Sequence, residues 1–421
     1  MKTLSNKVHS PRISALRQAL QGEDTAALDL FWKEVAEQGA PLIEPINGDP
    51  DHSLVTFLWR GDAGTKRVIV RSSEGSSGLG EQPLSQLPAT DVWHVTCRLR
   101  NDFRGVYKIV TSDSLLPGAE VEQPDPLNPK TFIEPGDQER PDQLEDDIDS
   151  VVELPAAPPQ PWVAPRAGTP KGQVKLQRLR SDLLGNERRI WVYTPPAYET
   201  TRQPYGLLVV LDGRFFTFAI PTPTILDNLL ADGLIPPLVA VLVDNPGHTW
   251  EQAQETRQKE LACWSPFVAF LAQELVPWVY NNYHLTADPA QSVLAGSSIG
   301  GLAAAFVAMQ RPQTFGNVLS LSGSFWWKPE DQSEWEWLAR QFALHPLLPL
   351  RFYLEVGLLE SVPQPNGNPG QVLANQHMRD VLQARDYPVQ YQELGHGHDA
   401  VAWQGALADG LIALMGRNRD E

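Results

Sequence analysis

The stretch QSVLAGSSIGGLAAAFVAM, Gln291–Met309, decides the fold. QSVLAG has the apolar run of a short strand. GSSIGG is a turn of residues with little or no side chain. LAAAFVAM opens a buried helix. The turn carries Gly296-Ser297-Ser298-Ile299-Gly300, the pattern G-x-S-x-G. A serine at such a strand–turn–helix corner is forced onto a strained backbone and points its hydroxyl away from the sheet. The neighbouring positions must lack bulk so that strand and helix can approach, and Gly296, Gly300 and Gly301 meet that need. The helix after the turn brings free N–H groups and a positive dipole end next to the serine, an arrangement suited to an oxyanion. Ser298 is therefore the candidate nucleophile, and Ile299 N–H the first candidate oxyanion donor.

A chain of 421 residues has room for two domains, and 42% hydrophobic content is that of a globular protein. No apolar run reaches the length of a membrane span. The start, MKTLSNKVHSPRISALRQAL, has neither the apolar core nor the small-residue cleavage site of a secretory signal, which places the expected location in the cytoplasm. Cys97 and Cys263 fall in different regions and suit a reducing compartment, with no zinc-ligand spacing. A net charge of −17 disfavours nucleic acid and anionic membranes as partners, although a local arginine cluster can still hold a small anion. Thirteen tryptophans is a high count; most are expected in the core or at a domain interface, and such an excess would also serve an aromatic ligand.

Residues 1–40 carry apolar groups at helical spacing, in Ser14–Leu20 and Thr25–Gln38. SLVTFLWRG (53–61), KRVIVRS (66–72), DVWHVTCRLR (91–100) and GVYKIV (105–110) are strands separated by turn residues, with no helices between them. They predict an antiparallel β-sandwich over 41–115. The proline-rich and acidic segment 116–170, including LEDDIDSVVE, is expected to be an extended linker. From 171 to 421 strands alternate with helices: RRIWVYTP (188–195), GLLVVLDG (206–213), LVAVLVDN (238–245), QSVLAG, NVLSLSG (317–323), RFYLEVG (351–357) and VQYQEL (389–394). That order predicts a mostly parallel sheet covered on both faces. Ser265 and Pro266 read as the start of a helix that Pro277 should bend, and a last helix is expected from Asp399.

A serine nucleophile needs a base, and the base an acid that fixes its tautomer, in the chain order Ser, acid, His. Four histidines come after Ser298. His345 comes too early and His377 lies in a predicted helix. His396 and His398 sit in ELGHGHDAVAW, a loop after the final strand. His398, beside the helix start, is the preferred base and His396 its competitor. The acid should leave the preceding strand in RFYLEVGLLE: Glu360 at the strand exit is preferred and Glu355 competes from inside the strand. The second oxyanion donor should come from the loop after VVLDG, near Gly213 or Arg214.

These residues resemble the enterochelin (enterobactin) esterases, enzymes that cleave ferric catecholate siderophores. The likeness covers most of the chain: WRG (59–61), FRGVY (103–107), DPLNP (125–129), LLVVLDGRFF (207–216), RQKEL (257–261), AGSSIGGLAAA (295–305), FGNVLSLSGSFWW (315–327), LEVGLLE (354–360), GHDA (397–400) and Trp403. The resemblance implies an α/β-hydrolase catalytic domain behind an N-terminal β-sandwich, with Ser298, His398 and Glu360 as the triad. It implies hydrolysis of serine-lactone esters of a small ferric siderophore, releasing iron in the cytoplasm. It also implies that the protein needs no cofactor or metal of its own, with iron arriving on the substrate. An aromatic, anionic ligand calls for arginines and aromatic faces, and the candidates are Arg60, Arg104, Arg214, Arg257, Trp326, Trp327 and Lys328. The sequence departs from the family pattern at Leu359, where an arginine is expected, and in the longer segments 244–256 and 361–376. A carboxylesterase or acyltransferase of the same fold is the alternative, and the sequence leaves the oligomeric state open.

Overall fold

The computed structural model describes residues 9–22, 24, 26–72, 79–114, 120–198, 204–361 and 365–416. The chain forms two compact units. The first comprises Met1–Ile133, Asp147–Pro158 and Gly395–Val401; the second comprises Glu134–Asp146, Pro159–Leu394 and Ala402–Glu421.

The first unit begins with helices α1 (Pro11–Gln21) and α2 (Ala27–Gln38). Ser10 caps α1 by accepting from the Ile13 N–H, and Pro11 stands at the first helical position, where a missing N–H costs nothing. Among the described residues ten strands come next: β1 (Leu42–Ile46), β2 (Asp49–Arg60), β3 (Arg67–Arg71), β4 (Glu81–Pro83), β5 (Ser85–Gln86), β6 (Val92–Arg100), β7 (Arg104–Ser112), β8 (Glu120–Gln123), β9 (Thr131–Glu134) and β10 (Asp147–Glu153). They form a four-stranded sheet, β1-β2-β6-β5, and a six-stranded one, β4-β3-β7-β10-β9 with β8 also on β7. Phe57 of β2 meets Tyr107 of β7 edge-to-face, with ring centroids 4.8 Å apart, so the two sheets share a core. The helices bury Ile13, Leu16, Phe31, Trp32 and Val35 with Leu58 and Val92 of the first sheet.

Where a linker was expected, residues 120–153 supply β8, β9 and β10. Prolines and acids hide these strands from a propensity reading. Ser150, Val151 and Val152 are nonetheless buried, and β10 pairs with the first half of β7 from Arg104 to Tyr107. β3 covers the other edge of β7 only from Lys108 onward. The loop Gly395–Asp399 takes the vacant edge: the Arg104 N–H donates to Gly395 O at 3.1 Å and the Val106 N–H to the Asp399 carboxylate at 2.8 Å.

The second unit is built on an eight-stranded sheet. Its strands are β11 (Gln173–Ser181), β12 (Asn186–Thr194), β13 (Gly206–Leu211), β14 (Leu238–Val243), β15 (Ser292–Ser297), β16 (Asn317–Leu321), β17 (Arg351–Gly357) and β18 (Val389–Leu394). The order is β11-β12-β14-β13-β15-β16-β17-β18, antiparallel for the first two pairings and parallel for the rest. β13, β14, β15 and β16 are buried at every position, which is what covering both faces of a parallel sheet requires. β11 was not anticipated: it is an exposed edge strand with charged residues along it, a common guard against edge-to-edge pairing.

The helices are α3 (Gly213–Phe218), α4 (Thr222–Ala231), α5 (Trp250–Leu261), α6 (Ser265–Phe270), α7 (Val276–Asn282), α8 (Ile299–Gln310), α9 (Trp337–Leu344), α10 (Gln371–Ala384) and α11 (Ala400–Met415). α6 starts at Ser265, and Trp264 before it stands at the N-cap position with no side-chain capping bond. Between α6 and α7 the residues Leu271–Leu275 form a π-helical turn, which lets the helix absorb Pro277. Half of the segment 244–256 is the start of α5, and residues 362–364 of the other long segment lie outside the described residues. The strand order reverses at β13: its connection to β14 runs one way, and the next leads back past it to β15. Crevices at such reversals, outside the carboxyl ends of the strands, are where ligands bind in α/β sheets.

Candidate active site

Ser298 stands at that place, after β15 and before α8. Its backbone is at φ 57°, ψ −123°, a region that a residue with a side chain occupies only under strain. Both of its peptide groups are tied to the end of β16 and the turn beyond it: the Ser298 N–H donates to Leu321 O at 2.9 Å, and Ser298 O accepts from the Ser324 N–H at 2.9 Å. A Cβ at Gly296 would lie 2.6 Å from the Gly300 backbone, and one at Gly301 would lie 2.4 Å from Ser320 Oγ. Neither space exists, so these two glycines are what let α8 sit against β15 and β16. α8 is buried from Ile299 through Met309, as a helix that is apolar all round must be. Ile299 opens it, and the first N–H groups of a helix have no acceptor inside it.

Gly213 and Arg214 open α3 directly after β13. Asp212 before them is left-handed, at φ 59°, ψ 51°. Its carboxylate accepts from Arg257 at 2.7 and 2.8 Å and from Asn245 at 2.6 Å. Arg257 also reaches Ser297 O at 3.4 Å. Burial lowers the Arg257 pKa, but the Asp212 charge and hydrogen bonds outweigh it and the net direction is upward. Arg257 was expected on the ligand. Its guanidinium braces the ends of β13 and β15, and the nearby Glu260 is paired with Arg188 at 2.9 and 3.0 Å.

Two other arginines expected on the ligand are also held by protein partners. Arg104 is buried, with its guanidinium on Glu153 and 2.7 Å from Pro158 O. The Arg214 side chain is buried against the segment Glu134–Asp146, on Asp137 at 3.2 Å, Glu134 at 3.7 Å and Pro135 O. That segment holds further charges: Asp137 also binds Arg189 at 2.7 and 2.8 Å, and Arg140 donates to Asn245 O at 2.8 Å. Burial raises the Asp137 pKa. The Arg189 hydrogen bonds, the Glu139 N–H and the charges of Arg189 and Arg214 more than offset it and bring the pKa down to about 2.

Glu360 lies after β17, buried, and accepts from Ser322 Oγ at 2.6 Å and from the Gly357 N–H at 2.9 Å. Trp403 Nε1 in turn donates to Ser322 Oγ at 3.1 Å. Glu355 lies inside β17 and is wholly buried. The sequence reading missed the part Ser322 plays, although it stands in the quoted FGNVLSLSGSFWW. It also missed Ser324, whose Oγ is 3.3 Å from Ser298 Oγ.

His396 and His398 sit in the loop that fills the edge of β7. His396 is buried, with Nδ1 2.6 Å from Gly397 O, while His398 is half-buried. Asp399 is fully buried, and its pKa is raised by that burial, partly offset by the Val106 and Val401 N–H groups and the two histidines. Trp326, Trp327 and Lys328 come shortly after Ser324. Trp326 Nε1 donates to Gln371 at 2.6 Å, its ring faces Trp335, Trp327 meets Trp337 edge-on, and Lys328 Nζ lies 5.2 Å from the centre of the Trp335 ring. In the first unit, Arg60 is exposed, paired with Asp91 at 2.8 Å and stacked on Trp32. Among the described residues no group of His, Cys, Asp and Glu could hold a metal ion, and no helix is long and apolar enough to cross a membrane.

Residues 181–414 match the family described as putative esterase, and residues 54–163 match the enterochelin esterase N-terminal family. The iron(III) enterobactin esterase of Dickeya dadantii is 32% identical over 93% of this chain and 93% of its own. The chain belongs to the enterochelin esterase family. It is therefore a hydrolase of ester bonds with an α/β-hydrolase domain. The family's iron(III) salmochelin esterase from Escherichia coli is 28% identical over 98% of this chain and 100% of its own. A crystal structure of the Shigella flexneri enterobactin esterase, obtained in the presence of enterobactin, superposes with a TM-score of 0.72, at 28% identity over 90% of this chain and 96% of that one.

Proposed function

We propose that this protein is a serine esterase that opens the serine-ester bonds of a ferric catecholate siderophore such as enterobactin, releasing its iron in the cytoplasm. The observation that carries the reading is the strained Ser298 at the strand reversal, between β15 and the first residue of α8. Ser298 Oγ attacks the ester carbonyl. His398 takes its proton and returns it to the leaving serine alkoxide, and Glu360 fixes the His398 tautomer. Ile299 N–H and a donor at Gly213 or Arg214 hold the oxyanion. Water then resolves the acyl-enzyme. Trp326, Trp327, Lys328 and Arg60 offer aromatic and cationic faces to the catecholates. Iron enters as part of the substrate.

The test is incubation with ferric enterobactin, with products tracked by chromatography. The wild type should give linear trimer, dimer and monomer. Ser298→Ala should be slower by on the order of a million-fold while keeping the same unfolding midpoint. Rapid turnover of a simple aryl ester with ferric enterobactin left intact would move the substrate elsewhere and favour a general carboxylesterase. Full activity in Ser298→Ala would remove the mechanism.

A further inference from the structure

We propose that Ser324 is a second catalytic hydroxyl, one that donates to Ser298 Oγ and stabilises it as a leaving group when the acyl-enzyme is hydrolysed. The inference rests on Ser298 being the nucleophile. The Ser298 hydroxyl has one proton, which must go to the base. A second hydroxyl within reach can then act on the oxygen only by donating to a lone pair.

The turn that carries Ser324 is held from several sides. Ser322 is left-handed at φ 46°, and its N–H donates to Glu355 O at 2.7 Å. Gln371 donates to Ser322 O, and Asn375 donates to Gly323 O at 2.8 Å. A Cβ on Gly323 would lie 2.4 Å from Ser320 Oγ, so the turn admits no side chain there. The Ser324 N–H on Ser298 O completes the frame. Ser324 is 3% exposed and its Oγ faces Ser298 Oγ at 3.3 Å. That separation exceeds the usual O–H···O distance, as resting catalytic hydrogen bonds often do, and it should shorten as charge builds on Oγ.

In deacylation, water bonds to the acyl carbon and gives one proton to the base. The C–Oγ bond then breaks with its electron pair on Ser298 Oγ, and the base returns the proton to Oγ. Negative charge grows on Oγ in that step, and a preplaced donor stabilises it with no reorganisation. In acylation the attacking Oγ starts as a neutral hydroxyl, and a donor on its lone pair lowers its nucleophilicity while stabilising the charge that deprotonation brings, so the same donor contributes less.

Ser324→Ala in the full chain, assayed with a chromogenic aryl ester, tests this. The expected result is a kcat lower by roughly ten- to a hundredfold, the worth of a hydrogen bond to a charged group. A burst of the first product and acyl-enzyme visible by mass should accompany it. Labelling of Ser298 by a fluorophosphonate, which reports attack alone, should stay within about threefold of wild type. Wild-type kcat, or equal losses in labelling and turnover with no burst, would overturn the proposal. Should alanine disturb folding, Ser324→Cys keeps the size with a weaker donor and should show the same burst to a smaller degree; its absence in a folded variant counts against the idea. If Ser298→Ala is inactive and unlabelled while Ser324→Ala behaves as wild type, only this inference fails. If Ser298→Ala is still labelled, the nucleophile itself was misassigned.

Discussion

Asp149 of β10 shows how one side chain can set a pH response. Burial drives its pKa up; the nearby Lys108 charge works against that, and Asp147, Asp399 and Glu122 add to it, leaving it at about 6. The folded state thus binds a proton more readily than the unfolded chain, whose carboxylate titrates near 3.8. Between those two values stability falls as pH rises, and above about 6 it stays at the lower level. Asp149→Asn should therefore raise stability at pH 7, by roughly 1–3 kcal/mol, and flatten the fall between pH 4 and 6. Denaturant titrations at pH 4, 5, 6 and 7 check this, and an unchanged pH slope would refute it. Legibility at this scale tracks range. Ser298 could be read because its strand, turn, glycines and helix are contiguous. The arginines could not, because charge and an aromatic neighbour describe a ligand site and a buried brace equally well. What distinguishes them is a distant carboxylate: Asp212 for Arg257, Glu153 for Arg104, Asp137 for Arg214. For the same reason the hydrogen bond between Ser322 and Glu360, 38 residues apart, was invisible, although each residue stood in a quoted motif.

Among elements, the strands that show in the sequence are those rich in β-branched, aromatic and other apolar residues between turns, β2, β3, β6, β7 and β12 to β18. β8 to β10 were lost among prolines and acids, and β11 among surface charges. Helices show by their apolar period, but what ties them to the sheet does not. α5 is nearly all polar, and Glu260 ties it to β12: it pairs with Arg188, whose guanidinium also lies 4.3 Å from the centre of the Phe270 ring, and accepts from Asn186 at 3.3 Å. The side chains are 3% and 0% exposed, so removing one partner leaves a charge in the interior. Glu260→Ala should cost about 3–5 kcal/mol, and Arg188→Met with Glu260→Leu together should recover most of it. Equal stability of Glu260→Ala and wild type in denaturant would show that the pair is hydrated.

At the scale of the whole molecule, the chain order of the two units differs from a simple succession. Glu134–Asp146 departs after β9 to join the second unit, and the chain returns to the first at β10. No composition shift marks this, because the segment reads as one more polar loop. Its charges nevertheless close a buried set in the second unit: Asp137 on Arg189 and Arg214, and Arg140 on Asp244 at 3.6 Å and on the Asn245 carbonyl. Arg214 belongs to the opening turn of α3, so the segment also bears on the proposed oxyanion donor. A chain beginning at Pro159 keeps the whole eight-stranded sheet yet leaves Arg189, Arg214 and Asp244 short of partners in the interior, which is costly. It should therefore unfold at lower denaturant than the second unit does in the full chain, and turn over aryl esters poorly. Asp137→Ala with Arg140→Ala in the intact 421-residue chain separates this from loss of the first unit. If the segment is what matters, the double variant should lose stability and lower kcat with little change in KM. A shortened chain as stable and active as the intact one would show that the second unit closes its charges without the segment.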